Sequence, residues 1–208
     1  MLIALLGDSI FDNSSYTGGE PDVVTHLREL LPTGVRATLL AVDGAITRSL
    51  TEQVSRIPAD ATHLVLSIGG NDALGCLDLL DAPATSTADA LRRLGSAVGR
   101  FESDYRTAVQ PVIDRGLPVA TCTIYNGAFE DPDEATRARV ALMLFNDVIL
   151  RVAFEHHASV IDLRLVCSEK ADYANPIEPS GQGGLKIAQA IARATGAAPA
   201  RGHSACFY

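Results

Sequence analysis

Residues 1–13 read MLIALLGDSIFDN, an apolar run over 1–6 that stops abruptly at Gly7-Asp8-Ser9. Six apolar residues with no basic flank are too few for the core of a signal peptide and far too few for a membrane span. The run therefore reads as a strand. Its apolar character is nearly continuous, not alternating, which is how a strand covered on both faces of a parallel sheet reads. Beyond the strand lies either a helix capped by Ser9 or a turn that presents the Ser9 hydroxyl for chemistry.

The same kind of run recurs four times, as ATLLAV at 37–42, HLVLSI at 63–68, PVATCTI at 118–124 and SVIDL at 159–163. Helical patterns fill the gaps. Val23, Leu27, Leu30 and Leu31 form one stripe, with Pro21 expected as its first helical residue. A second helix is expected over 46–57, stopped by Pro58. A long one spans 86–115, with Ser86 and Asp89 at capping-box spacing and Pro111 expected to kink or break it. Asp131-Pro132-Asp133-Glu134 opens another, its acids at the positive end of the helix dipole. Its expected apolar face is Val140, Ala141, Leu144, Phe145, Val148, Ile149 and Val152. The last helix carries Leu185, Ala188, Ile191 and Ala192 and stops at Gly196. Five strands alternating with helices predict an α/β fold, a three-layer α/β/α sandwich on a five-stranded parallel sheet of flavodoxin-like order 2-1-3-4-5. We read 1–196 as one domain. The tail over 197–208 lacks periodicity and is either mobile or packed through Phe207 and Tyr208.

The 208 residues suffice for one large core, and 47% apolar with 20% charged residues is ordinary for a globular chain. A net charge of −8 without a Lys/Arg cluster argues against a nucleic-acid partner. Cys76, Cys122, Cys167 and Cys206 are scattered, so neither a zinc site nor a disulfide framework is expected. We expect a cytoplasmic protein without a membrane partner; its oligomeric state is open.

In parallel sheets of this kind, sites form at the carboxyl ends of the strands. Four polar stretches fall there or close by: Gly7-Asp8-Ser9, Asp43-Gly44, Gly69-Gly70-Asn71-Asp72, and Asn175-Pro176-Ile177-Glu178 before the last helix. Each has a plain structural explanation alone. Ser9 suits a cap, Gly44 a tight turn, and Asn71 a loop residue bonding its own backbone. Their order suggests one pocket, walled by the loops over 73–85 and 125–132. Arg48, Asp162 and Asp172 read as a surface charge and as turn or cap residues, with Asp162 also able to face the site. G-x-S-x-G is absent, and Gly181-Gln182-Gly183-Gly184-Leu185-Lys186 lacks the ending of a phosphate loop.

Gly7-Asp8-Ser9 on the first strand, Gly44 after the second and Gly69-Gly70-Asn71-Asp72 after the third resemble the SGNH (GDSL) hydrolases, over nearly the whole chain. The resemblance implies metal-free, cofactor-free acyl chemistry on a small carboxylic ester. Ser9 is then the nucleophile. The N–H groups of Ser9 and Gly44 and the amide of Asn71 hold the oxyanion, where such donors act on developing charge. Asp8 and Asp72 hold loops in shape, and Asp12 and Asn13 either do the same or line the pocket.

The family usually carries Asp-x-x-His before the last helix, where this chain has Asn175-Pro176-Ile177-Glu178. Three readings compete. Glu178 replaces the histidine as base, its pKa of about 4.3 raised by two or three units through burial near Ile177. The change at 175 then matches, since an ionised Glu wants a donor and the Asn amide supplies one. Alternatively another histidine serves; His26, His63, His156 and His157 are poorly placed, which leaves His203. Or the site binds an ester, acyl group or carbohydrate without cleaving it.

Overall fold

The computed structural model of this chain describes residues 1–199. Five strands, β1 (Leu2–Gly7), β2 (Arg36–Leu39), β3 (His63–Ser67), β4 (Val119–Cys122) and β5 (Ser159–Ile161), pair in parallel in the order β2-β1-β3-β4-β5. The expected fold class and strand order are thus those observed.

The strands alternate between two cores. Ile3 and Leu5 of β1 pack with α1 (Val23–Leu30) and α8 (Gly181–Ala194). Ala4 and Leu6 pack with α2 (Leu50–Ser55), α5 (Thr87–Ile113) and α6 (Pro132–Glu155) on the other face. Ile3, Leu5 and Leu6 are fully buried. Each such burial is worth roughly 1.5–3 kcal/mol, which outweighs the roughly 1–2 kcal/mol of backbone entropy that ordering one residue costs.

Several strands end before their apolar runs do. The N–H groups of Leu40 and Ala41 both reach the Leu5 carbonyl, which ends the β2 ladder. Past Cys122 the Ile124 backbone bonds the Asn146 side chain instead of a strand. In SVIDL, Asp162 accepts from the Arg164 N–H and caps α7 (Leu163–Val166), so Leu163 begins a helix.

The helices differ in detail from their expected bounds. Asp22, not Pro21, sets the start of α1 by accepting from the Thr25 N–H, and Leu30 is exposed. The segment expected as one helix over 46–57 is a 3-10 turn, Thr47–Ser49, followed by α2. α5 runs through Pro111 to Ile113, because a proline in the last turn forfeits only one hydrogen bond. Ser86 caps α5 as expected, but the Asp89 carboxylate bonds Thr85, Arg92 and Arg93 and not the Ser86 N–H, so the reciprocal half of the box does not form. On α6, Val140 and Leu144 are exposed, and burial centres on Phe145, Val148, Ile149 and Val152. The segment over 73–85 is partly helical, with α3 (Gly70–Leu74) and α4 (Asp78–Asp81). Among the described residues no helix is long and apolar enough to cross a membrane. His203, Cys206, Phe207 and Tyr208, all named in the sequence analysis, lie outside the described residues.

Candidate active site

Gly7 ends β1 with φ +134°, and a Cβ there would overlap the Ser67 carbonyl oxygen. Only glycine lets the two strands pair so closely at this edge. The Gln53 side chain closes the remaining valences of Gly7: its Oε1 accepts from the Gly7 N–H (2.7 Å) and its Nε2 donates to the Gly7 carbonyl (2.8 Å). The chain then turns. The Asp8 carbonyl accepts from the N–H groups of Phe11 and Asp12, and Asp8 Oδ1 accepts from the Ile10 N–H. No helix starts here, so Ser9 caps nothing. Its hydroxyl donates to Glu178 Oε1 at 3.0 Å, across 169 positions of sequence.

Glu178 reaches Ser9 from a loop held by several elements. The Tyr125 hydroxyl donates to the Ile177 carbonyl (2.6 Å), Asn13 Nδ2 to the Pro179 carbonyl (3.2 Å), and the Ala128 N–H to the Pro176 carbonyl (2.9 Å). Asn175 Oδ1 accepts from the N–H groups of Ile177 and Glu178, both at 3.0 Å. This corrects the sequence reading. Asn175 is exposed and uses its oxygen in an Asx turn, a local bond Asn readily makes, and its amide gives nothing to the carboxylate. Glu178 Oε2 is buried without a partner among the described residues. Burial pushes the Glu178 carboxyl up from 4.5 to about 7, the bond from Ser9 pulling the other way.

No described histidine walls this cleft. His26 Nε2 meets the Gly181 carbonyl, His63 pairs with Thr62, and His156 and His157 come directly after α6. His203 lies outside the described residues.

Asn71 sits in the first turn of α3, where Gly69 at φ +114° brings the chain within contact of Phe101. Asn71 Nδ2 donates to the Ala45 carbonyl (2.9 Å), which occupies one of its two amide protons. The N–H groups of Ser9 and Gly44 donate to no acceptor among the described residues. Gly44 lies on an exposed turn at φ +75° and does not wall the cleft, whereas Asn71 does. Asp72 accepts from the Thr47 N–H (3.0 Å) and hydroxyl (2.7 Å), tying α3 to the turn before α2. Asp12 accepts from the Asp43 N–H, and fully buried Asn13 binds the Val23 N–H and the Pro179 carbonyl.

Asp8 is buried at 3% exposure and lines the cleft. Its carboxyl is raised from 3.8 to about 8, by burial first and by the charges of Glu178 and Asp72 after it.

From Ser9 the cleft continues between α3, α4, α5 and α6 as an apolar trough walled by Leu74, Leu80, Leu94, Leu142 and Phe145, with Tyr125 and Phe129 from the segment over 125–132. Counted out to its open mouth, it encloses about 1000 Å³. Other candidates from the sequence lie elsewhere. Arg48 pairs with Asp104 on the surface, and Asp162 caps α7 and binds Thr123 and Arg164. Fully buried Asp172 binds Lys186 Nζ at 2.7 Å. Gly183 is needed because a Cβ would overlap the Asp172 carbonyl oxygen, a packing role and no phosphate loop.

Gln53, Tyr125 and Asn146 escaped the sequence reading. Asn146 had a signal, since a lone amide inside the apolar stretch LMLFNDVIL asks for a buried backbone partner. Gln53 and Tyr125 had none.

Comparison with known proteins agrees with this architecture. The sequence profile of the GDSL-like lipase/acylhydrolase family matches residues 5–183. No curated protein matches the chain. Among solved structures, an extracellular lipase from Streptomyces rimosus superposes with a TM-score of 0.70 at 17% identity, covering 93% of this chain and 99% of that one. An acetylxylan esterase from Geobacillus stearothermophilus gives 0.66 at 19%, covering 94% of each chain. A phospholipase A1 from Streptomyces albidoflavus gives 0.65 at 19%, covering 91% of this chain and 97% of that one. At these identities the likeness is one of fold.

Proposed function

Since the chain belongs to the GDSL-like lipase/acylhydrolase family, we propose that it hydrolyses a small carboxylic ester through an acyl-enzyme on Ser9, with Glu178 as the base. The observation that carries this reading is the 3.0 Å hydrogen bond from Ser9 Oγ to Glu178 Oε1, at the carboxyl edge of the sheet and beside an apolar cleft.

Ser9 Oγ attacks the ester carbonyl carbon while its proton passes to Glu178. The carbonyl oxygen becomes an oxyanion, facing the spare N–H group of Ser9 and the second amide proton of Asn71, while Gly44, on its exposed turn outside the cleft, is left out of this donor set. Collapse expels the alcohol, which takes the proton back from Glu178. Water then attacks the acyl-enzyme, Glu178 accepts its proton, and the acid leaves as Ser9 Oγ recovers that proton. A carboxylate with the usual pKa would be a weak base for this work. One raised to about 7 is matched to neutral pH, where general bases work best. The cost of burying it is the unpartnered Oε2, which the substrate or the attacking water can fill.

A p-nitrophenyl acetate assay with fluorophosphonate labelling tests the proposal. Wild type turns over the ester and is labelled at Ser9; Ser9→Ala loses both. Glu178→Gln keeps the shape and lowers kcat by roughly 10²–10⁴, the range for removing a general base. No turnover and no labelling in wild type would make the site a binding cradle.

A further inference from the structure

The proposed oxyanion donors leave one group at the reacting end of the cleft unused. Asp8 immediately precedes the nucleophile, lines the cleft and is almost wholly buried. Its Oδ1 is taken by the Ile10 N–H. Its Oδ2 accepts from no other described residue and lies on the side of α3, 3.8 Å from where a Cβ on Gly70 would stand, one residue before Asn71.

The charged groups around it are all of one sign or neutral. Glu178 faces it from the loop before α8 and Asp72 from α3, and the Cys122 thiol and the Tyr125 phenol face it from β4 and the segment beyond. No Arg, Lys or His among the described residues walls the cleft. Two carboxyl groups in one cation-free apolar cleft cannot both ionise cheaply, and a buried acid without a cation takes up a proton instead. Glu178 already accepts the Ser9 hydroxyl, so the charge belongs on Glu178 and the proton on Asp8.

We infer that Asp8 stands in the cleft as a neutral carboxylic acid and donates its Oδ2 proton to the carbonyl oxygen of the ester, as a further donor to the oxyanion. The bond to Ile10 fits this state, because the C=O oxygen accepts while the O–H oxygen donates. The proton is shared in a hydrogen bond and not lost, so the acid is unchanged at the end of each turnover. The inference rests on the proposed acyl chemistry and adds a donor to it.

The test compares Asp8→Asn with Asp8→Ala on p-nitrophenyl butyrate from pH 5 to 10. Wild type should show kcat/KM rising through about pH 7 as Glu178 ionises and falling through about pH 8 as Asp8 does. Asp8→Ala should lower kcat by roughly 10²–10³, as the loss of one oxyanion donor does. Asparagine keeps both the acceptor for Ile10 and a donor toward the substrate, so Asp8→Asn should recover most of that loss, and its alkaline fall should vanish. A purely structural role would also be rescued by asparagine, but it would not remove the alkaline limb. Asp8→Asn as damaged as Asp8→Ala, or an alkaline limb that survives in Asp8→Asn, overturns the inference. If Asp8→Ala does not fold, the Asp8→Asn profile decides alone. Infrared difference spectra of wild type against Asp8→Asn at pH 6.5 need no activity. A protonated-carboxyl band lost in the variant supports the neutral acid, and a carboxylate band lost in its place refutes it. Should wild type cleave no ester and resist the phosphonate, the esterase reading fails while the infrared result still judges Asp8.

Discussion

Asn175 shows how little a residue's identity says about which of its atoms will act. The sequence pairs it with Glu178 as donor to carboxylate, and the pairing is chemically sound. In the structure its oxygen holds the N–H groups of Ile177 and Glu178, and Glu178 Oε2 goes without a partner among the described residues. The two arrangements predict different mutants. Aspartate supplies the same acceptor oxygen, so Asn175→Asp should keep kcat/KM for p-nitrophenyl acetate within about threefold of wild type, since the two hydrogen bonds that fix the loop survive. Its added negative charge should shift the acid limb of the pH profile slightly upward. Asn175→Ala removes both bonds, each worth about 0.5–1.5 kcal/mol, and should cost about 1–3 kcal/mol in urea denaturation with a clear fall in kcat. Had the amide been the partner of Glu178, Asn175→Asp would be the worse of the two. That Ser9, Asn71 and Glu178 would line one cleft was legible because Ser9 and Asn71 follow β1 and β3 and Glu178 stands just before α8, positions that constrain where they can be. The direction of a side-chain amide is set by the rotamer, which no spacing encodes.

Among elements, the strands and their order were legible because covering both faces of β1 and β3 demands continuous apolar runs, and the right-handed crossovers leave few topologies. Strand ends were not. They are decided by side chains arriving from other elements: Asn146 of α6 on Ile124, and Asp162 at the start of α7. The same applies to Gly7, where Gln53 of α2 takes the place of a further strand at the point where β1 gives way to the Ser9 turn. Gln53 is 1% exposed, so no water can replace it. Gln53→Leu should therefore leave the buried Gly7 N–H unpaired, at about 1–3 kcal/mol, while the Gly7 carbonyl keeps the Val42 N–H as a donor and loses one of two bonds, at about 0.5–1.5 kcal/mol. A total loss of about 1.5–4.5 kcal/mol in urea unfolding is expected, with the rate of Ser9 labelling by fluorophosphonate falling as the turn loosens. A loss under about 1 kcal/mol would mean that the clamp is dispensable and that Gly7 is held by the sheet alone.

For the molecule as a whole, the two acids of the cleft, Asp8 and Glu178, set a pH dependence opposite in sign to that of acids paired with cations. Glu102, Glu155 and Asp172 are held below their ordinary values by Arg151, Arg106 and Lys186, so they favour the fold above the unfolded pKa and lose that contribution as pH falls. Asp8 and Glu178 are raised to about 8 and about 7. Between about pH 4 and pH 8 the folded chain holds protons there that the unfolded chain has released, so stability falls as pH rises through that window. Net self-repulsion of a chain with a formal charge of −8 acts in the same direction. Thermal melting should therefore give a higher Tm at pH 5 than at pH 8. The doubly neutral variant Asp8→Asn/Glu178→Gln should flatten the decline, gaining several degrees over wild type at pH 8 and little at pH 5, at roughly 2–4 °C per kcal/mol for a chain of this size. An equal gain at both pH values would place the effect in packing and not in ionisation. The same double variant should be catalytically inert, because the burial that makes ionisation of these acids costly to the fold is, in the proposed mechanism, the property that suits them to an ester.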